Sequence, residues 1–132
     1  MNRVIHFEIH ATDTAKVAAF YRDIFGWEVR KWENPDVDYW IVMTAPEAST
    51  EPGINGGITG RHGQAPKGGE PVNAFVCTIH VPNVDEYVGK IQKAGGQIAL
   101  PKMAIPGLAW LAYCTDIEGN MFGVYEDNKD AK

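Results

Sequence analysis

The chain has 132 residues, 45% of them apolar, and a formal charge of −5 at pH 7. That length buries roughly two-thirds of its unfolded surface and supports a core without staples, while scattered basic residues form no stripe for phosphates, so nucleic acid is not an expected partner. No apolar run nears the roughly 18 residues of a membrane span, and strand-like alternation begins at once with no signal peptide ahead of it, so the expected location is cytoplasmic, with no membrane partner.

Taken in order, residues Arg3 to Ala11 alternate Ile5, Phe7 and Ile9 with His6, Glu8 and His10, the pattern of a strand with one apolar and one polar face. Thr12 or Asp13 caps the helix that follows. Its apolar stripe is read as Val17, Phe20, Tyr21 and Ile24, and Gly26 stops it. Strands are expected over 27–32 and 37–44, parted by a turn at Asn34-Pro35-Asp36. A short strand, 54–59, holds the pair Gly56-Gly57, which either brings backbone N–H groups close to a ligand or lets the sheet bend or a second chain approach. Residues 61–72 read as a linker in which His62 is a solvated loop histidine.

The second half starts with an alternating strand over 74–81. Asn83 with Glu86 has the form of a capping box, Val84, Val88 and Ile91 line the helix, and Gly95-Gly96 ends it. Strands follow at 97–100, 108–115 and 120–126, the last two joined by a turn at Ile117-Glu118-Gly119-Asn120. The tail 127–132 is polar and expected to be loose. Cys77 and Cys114 lie in apolar segments far apart and read as reduced core thiols. A shift of seventy residues carries Ile9-His10-Ala11 onto Ile79-His80-Val81, Asp13 onto Asn83 and Gly26 onto Gly96. The chain therefore reads as a duplicated module, 1–60 and 73–126, within a single domain spanning 1–132.

The run His6-Phe7-Glu8-Ile9, with Asp13, Phe20-Tyr21 and Phe25-Gly26-Trp27, resembles the first module of the vicinal oxygen chelate superfamily, which includes glyoxalase I, extradiol dioxygenases, and fosfomycin- and bleomycin-resistance proteins. Val84 to Gly96, Ile105-Pro106-Gly107 and Asp116 to Asn120 resemble its second module. The resemblance implies an α+β fold of two tandem βαβββ modules, with curved mixed sheets enclosing a cleft and helices on the outer face. It also implies a homodimer and a small-molecule ligand.

The resemblance further implies four metal ligands, and these carry over unevenly. His6 stands at the first-strand position. The second falls on Gly56-Gly57, with Gly57 in the ligand's place, the third on Val76 and the fourth on Gly123. A lone imidazole does not hold a divalent ion tightly, because affinity comes from several deprotonated ligands closing one geometry. No cofactor is therefore expected, and a divalent metal is the alternative, held by a displaced set. His6 and His10 lie about 13 Å apart along an extended strand, too far to share an ion, which leaves His6 with Glu8, Glu8 with His10, or a His10 and His80 pair.

The cavity-lining set expected from this reading is His6, Glu8, His10, Asn55, Thr78, His80, Trp110 and Tyr125. Tyr39, Trp40 and Tyr113 are further aromatic walls, at least half of the aromatic set being core. Glu8 is the candidate catalytic residue, a general base if partly desolvated, or else an ion-pair partner of a neighbouring histidine. No Ser-His-Asp order, phosphate-binding loop or H-E-x-x-H motif is present. The function expected is a metal-free small-molecule-binding protein. The alternatives are a lyase, isomerase or dioxygenase using His6, Glu8 and His10, and a dimeric structural or regulatory domain.

Overall fold

The computed structural model describes residues 1–67, 70–115, 117 and 121–132. The expected turn Ile117-Glu118-Gly119-Asn120 and the motif beginning at Asp116 lie outside the described residues except for Ile117. The fold is α+β, with two helices and eight strands among the described residues. The chain divides into two compact units, His6–Phe75 and a second made of Val76–Lys132 with Met1–Ile5. No helix among the described residues is long and apolar enough to cross a membrane.

In the first unit, β1 (Val4–Ala11), α1 (Thr14–Phe25), β2 (Glu28–Lys31), β3 (Tyr39–Met43) and β4 (Asn55–Gly60) follow one another. The strands lie in the order β2-β3-β4-β1, with β1 and β4 parallel and the other pairs antiparallel. Alternation along β1 sends Phe7, Ile9 and Ala11 to the helix side, where they form a core with Ala18, Val29, Val42 and Ile58. Asp13, not Thr12, caps α1, accepting from the Lys16 amide at 3.1 Å, and Gly26 closes the helix at φ 71°, a left-handed conformation that glycine adopts without a Cβ clash. The buried stripe of α1 is Thr14 and Ala18 with Val17 and Tyr21 packed beside them, while Phe20 and Ile24 are 54% and 58% exposed. Half of the expected stripe, Val17 and Tyr21, packs inward, whereas Phe20 and Ile24 do not, because apolar character alone does not fix which face turns inward.

The second unit repeats the plan with β5 (Val76–His80), α2 (Val84–Lys93), β6 (Gln97–Ile105), β7 (Ala109–Thr115) and β8 (Met121–Asp127), ordered β5-β8-β7-β6. Val81, Val84, Ala112 and Val124 form its core, with Val88 and Ile91 of α2 packed on it as expected. Asn83 accepts from the Glu86 amide at 2.8 Å, and the Glu126 carboxylate of β8 accepts from the Val84 amide at 2.8 Å, so a strand completes the cap. The Glu86 carboxylate pairs with Lys90, 3.0 Å away.

β6 and the C-terminal tail both differ from the expectation. β6 runs on from Leu100 to Ile105, passing through Pro101 with register shifts on either side of Leu100. It is the outer strand of this unit, so the missing proline N–H costs no ladder bond and the irregularity absorbs the misfit. The tail is also tied down: Asn128 donates to the Leu108 carbonyl at 2.8 Å, Ala131 accepts from the Gly107 amide at 2.9 Å, and Ala131 is 2% exposed. Cys77 and Cys114 are free thiols, and burial pushes the Cys114 thiol up from its ordinary pKa.

Candidate functional site

The face of β1 opposite the helix carries His6, Glu8 and His10, and its register neighbours on β4 are Asn55, Gly57 and Thr59. On β3 the alternation that sends Trp40 and Val42 into the core leaves Tyr39 and Ile41 on this polar face. Gly57 lies between Glu8 on one side and Ile41 on the other, and Tyr39, two positions from Ile41, reaches diagonally across it. A Cβ placed on Gly57 would run into the Tyr39 hydroxyl and ring, so only glycine leaves the phenol its seat. Gly56 is constrained on the other face, where a Cβ would meet the Phe7 carbonyl and ring. The glycine pair therefore serves close side-chain approach on both faces, and neither sheet bending nor a second chain is required to explain it.

The Tyr39 hydroxyl lies 3.0 Å from His6 Nε2, and the bond is part-buried. Which of the two donates is set by the imidazole tautomer. Burial, outweighing the opposing attraction of Glu8, lowers the His6 pKa from its ordinary value. Burial first and the Glu8 charge second push the Tyr39 phenol up, which keeps it protonated. The result is a pair of neutral groups beside a carboxylate whose side chain is 13% exposed. Glu8 also lies 4.0 Å from His10 Nε2. The Trp32 ring meets Tyr39 edge-on at 6.1 Å between centroids.

The second unit places the shifted counterparts at the same register. Thr78 is paired with Gly123 on β8, and Gly123 with Tyr113 on β7. A Cβ on Gly123 would lie 2.9 Å from Thr78 Oγ1 and 3.3 Å from the Tyr113 ring, so this glycine too is overlaid by a tyrosine. His80 Nε2 lies 2.8 Å from an Asp127 carboxylate oxygen. Burial and then the Asp127 charge and hydrogen bond raise the pKa of Tyr125. His80 and Asp127, with Met1, Val81, Pro82 and Glu126, line a depression of about 270 Å³.

Trp110 and Asn55 of the expected cavity set, and Trp40 of the expected aromatic walls, are engaged away from His6 and Glu8. Trp110 lies on the helix side of its sheet, packed on the second core with Lys102 Nζ 4.4 Å from its ring centroid. The alternation of β7 puts it there, with Ala112, on the face away from Tyr113. Trp40 is likewise in the first core, its indole N–H donating to Thr14 Oγ1 at 3.1 Å. Asn55 spends its side-chain oxygen on the Thr44 amide at 2.9 Å, shaping a depression of about 360 Å³ between β3 and β4 that Glu47 and Glu51 also line. His62 is exposed on its loop, as expected.

The residues at the four metal-ligand positions do not fit a divalent ion. Two of them, Gly57 and Gly123, are covered by tyrosines, and His6 Nε2 is engaged by a phenol. Among the described residues no group of three or more His, Cys, Asp or Glu side chains converges as a metal site would require.

Residues 3–39 match the family model for the bleomycin resistance protein-like N-terminal region. No curated protein matches the sequence. Among solved structures, a glyoxalase/bleomycin resistance protein/dioxygenase superfamily member from Vibrio splendidus 12B01 aligns over 97% of this chain and 100% of its own at 17% identity and a TM-score of 0.63. A Streptomyces coelicolor methylmalonyl-CoA epimerase variant in complex with 2-nitronate-propionyl-CoA aligns over 96% and 98% at 16% identity, with a TM-score of 0.65. The Mycobacterium tuberculosis methylmalonyl-CoA epimerase aligns over 95% and 87% at 12% identity and 0.61. At these identities the likeness is one of fold.

Proposed function

We propose that this chain, which has the fold of the vicinal oxygen chelate superfamily, binds a small molecule on the polar sheet face around His6, Glu8 and Tyr39 without the aid of a divalent metal. The observation that carries the reading is the Tyr39 hydroxyl seated on Gly57 and bonded to His6. That geometry gives the His6 imidazole a protein partner and leaves a mostly buried carboxylate beside it. A neutral phenol and imidazole next to Glu8, with the Trp32 ring against Tyr39, suit a ligand that is aromatic or cationic. The test is a thermal-shift screen of small aromatic and cationic compounds in chelator. The expected result is at least one compound that raises Tm by several degrees. No hit at all would leave the structural or regulatory alternative in its place.

A second reading is supported by Glu8. A carboxylate partly withdrawn from water and flanked by a protonated phenol has the makings of an acid and base pair, and epimerases are among the solved structures of this fold. On that reading the protein is an isomerase or lyase acting on its bound ligand. Glu8→Gln would then abolish turnover of a ligand it still binds, whereas unchanged turnover would remove Glu8 from the chemistry.

A further inference from the structure

We infer that Tyr39 is a plug: its phenol fills the space that a metal ligand at position 57 would need and occupies the imidazole of His6, closing the first unit to a divalent ion. The inference concerns the face on which the proposed function rests, but its support is steric and independent of any ligand. The register of β1, β4 and β3 sets Glu8, Gly57 and Ile41 side by side, with His6 two residues before Glu8 on the same face. Neighbouring strands lie roughly 4.8 Å apart. An oxygen ligand projecting from position 57 would thus stand within one strand spacing of Glu8 and near His6, and three donors would converge. The chain lacks that arrangement: residue 57 is glycine, and the Tyr39 phenol lies where its Cβ would be.

The second unit repeats the device with different parts. At the corresponding position Gly123 is closed by Thr78 Oγ1 and the Tyr113 ring, although Tyr113 is the direct neighbour of its glycine and Tyr39 is the diagonal one. Two glycines, each with a tyrosine from the adjoining strand against it, make the crowding a feature of both units.

The experiment titrates nickel(II) into chelator-stripped protein and follows Tm. The wild type and Tyr39→Phe, which keeps the ring, are expected to shift by no more than about 1 °C, because neither offers the clustered ligands that tight linkage requires. The double variant Tyr39→Ala with Gly57→Glu is expected to gain several degrees and to lose that gain when His6→Ala is added. A nickel-dependent shift in the wild type that His6→Ala abolishes overturns both the plug and the metal-free reading. A folded double variant that responds no more than wild type overturns the plug alone, and a failed ligand screen overturns the binding reading alone. Should the double variant not fold, Gly57→Ala decides the matter. It is expected to lower Tm in the wild type and to be nearly neutral in a Tyr39→Ala background, and equal effects in the two backgrounds overturn the plug.

Discussion

At the scale of single residues, the account turns on His6. Its imidazole is held below its ordinary pKa by burial, against the pull of Glu8, and the groups that face it are Tyr39, itself protonated throughout the physiological range, and Glu8. As pH falls through about 6.5 the unfolded chain takes up a proton at this histidine before the folded chain does. The contribution to stability is therefore complete above pH 6.5 and is lost as pH drops from there toward the lowered folded value. Urea midpoints at pH 7.5 and 5.5 should differ more for the wild type than for His6→Gln; equal differences would mean that His6 is not desolvated in solution. The sequence showed that His6, Glu8 and His10 share a face, because period-two alternation is written in neighbouring letters. It did not show the partner of His6. Tyr39 is distant in sequence and was visible only as one aromatic among several. The one available signal was a glycine standing where a carboxylate was expected, which has a physical cause only once β3 is laid against β4.

At the scale of elements, caps and glycine stops were legible and facing was less so. Asn83 satisfies the Glu86 amide, and its replacement by alanine should cost about 1 kcal/mol. The neighbouring Val84 amide, held by Glu126, should survive that change. A chemical-denaturation series would check this, and a loss of several kcal/mol would mean that the cap of α2 is coupled to β8 as one unit. The facing of α1 is only half legible: Val17 and Tyr21 pack inward, but Phe20 and Ile24 are apolar yet exposed, while Ala18, a weak hydrophobic signal, is fully buried. The extent of β6 is not legible in the sequence, because a proline ordinarily ends a strand unless that strand is outermost. The facing of Trp110 is hidden for a related reason: β7 is apolar on both sides, so its letters do not say which side is the helix side.

At the scale of the whole molecule, the duplication was the strongest signal. The seventy-residue shift that pairs His10 with His80 also pairs Glu8 with Thr78, and the sheet registers repeat it by setting Glu8 beside Gly57 and Thr78 beside Gly123. Fold follows from such repetition because each module must bury one helix face on one sheet face, and the caps that start and stop the helices recur with it. Function does not follow in the same way, since it depends on what projects from the opposite face, where Gly57 and Gly123 present no side chain and a tyrosine from the adjoining strand lies against each. The measurement that tests this most directly is the ligand-induced change in Tm of chelator-treated protein, compared between the wild type and Glu8→Gln. The account predicts that a small aromatic or cationic compound raises Tm by several degrees with no metal added, and that most of the rise disappears in the variant. A rise that appears only after a divalent ion is restored, or that is the same size in Glu8→Gln, would contradict it.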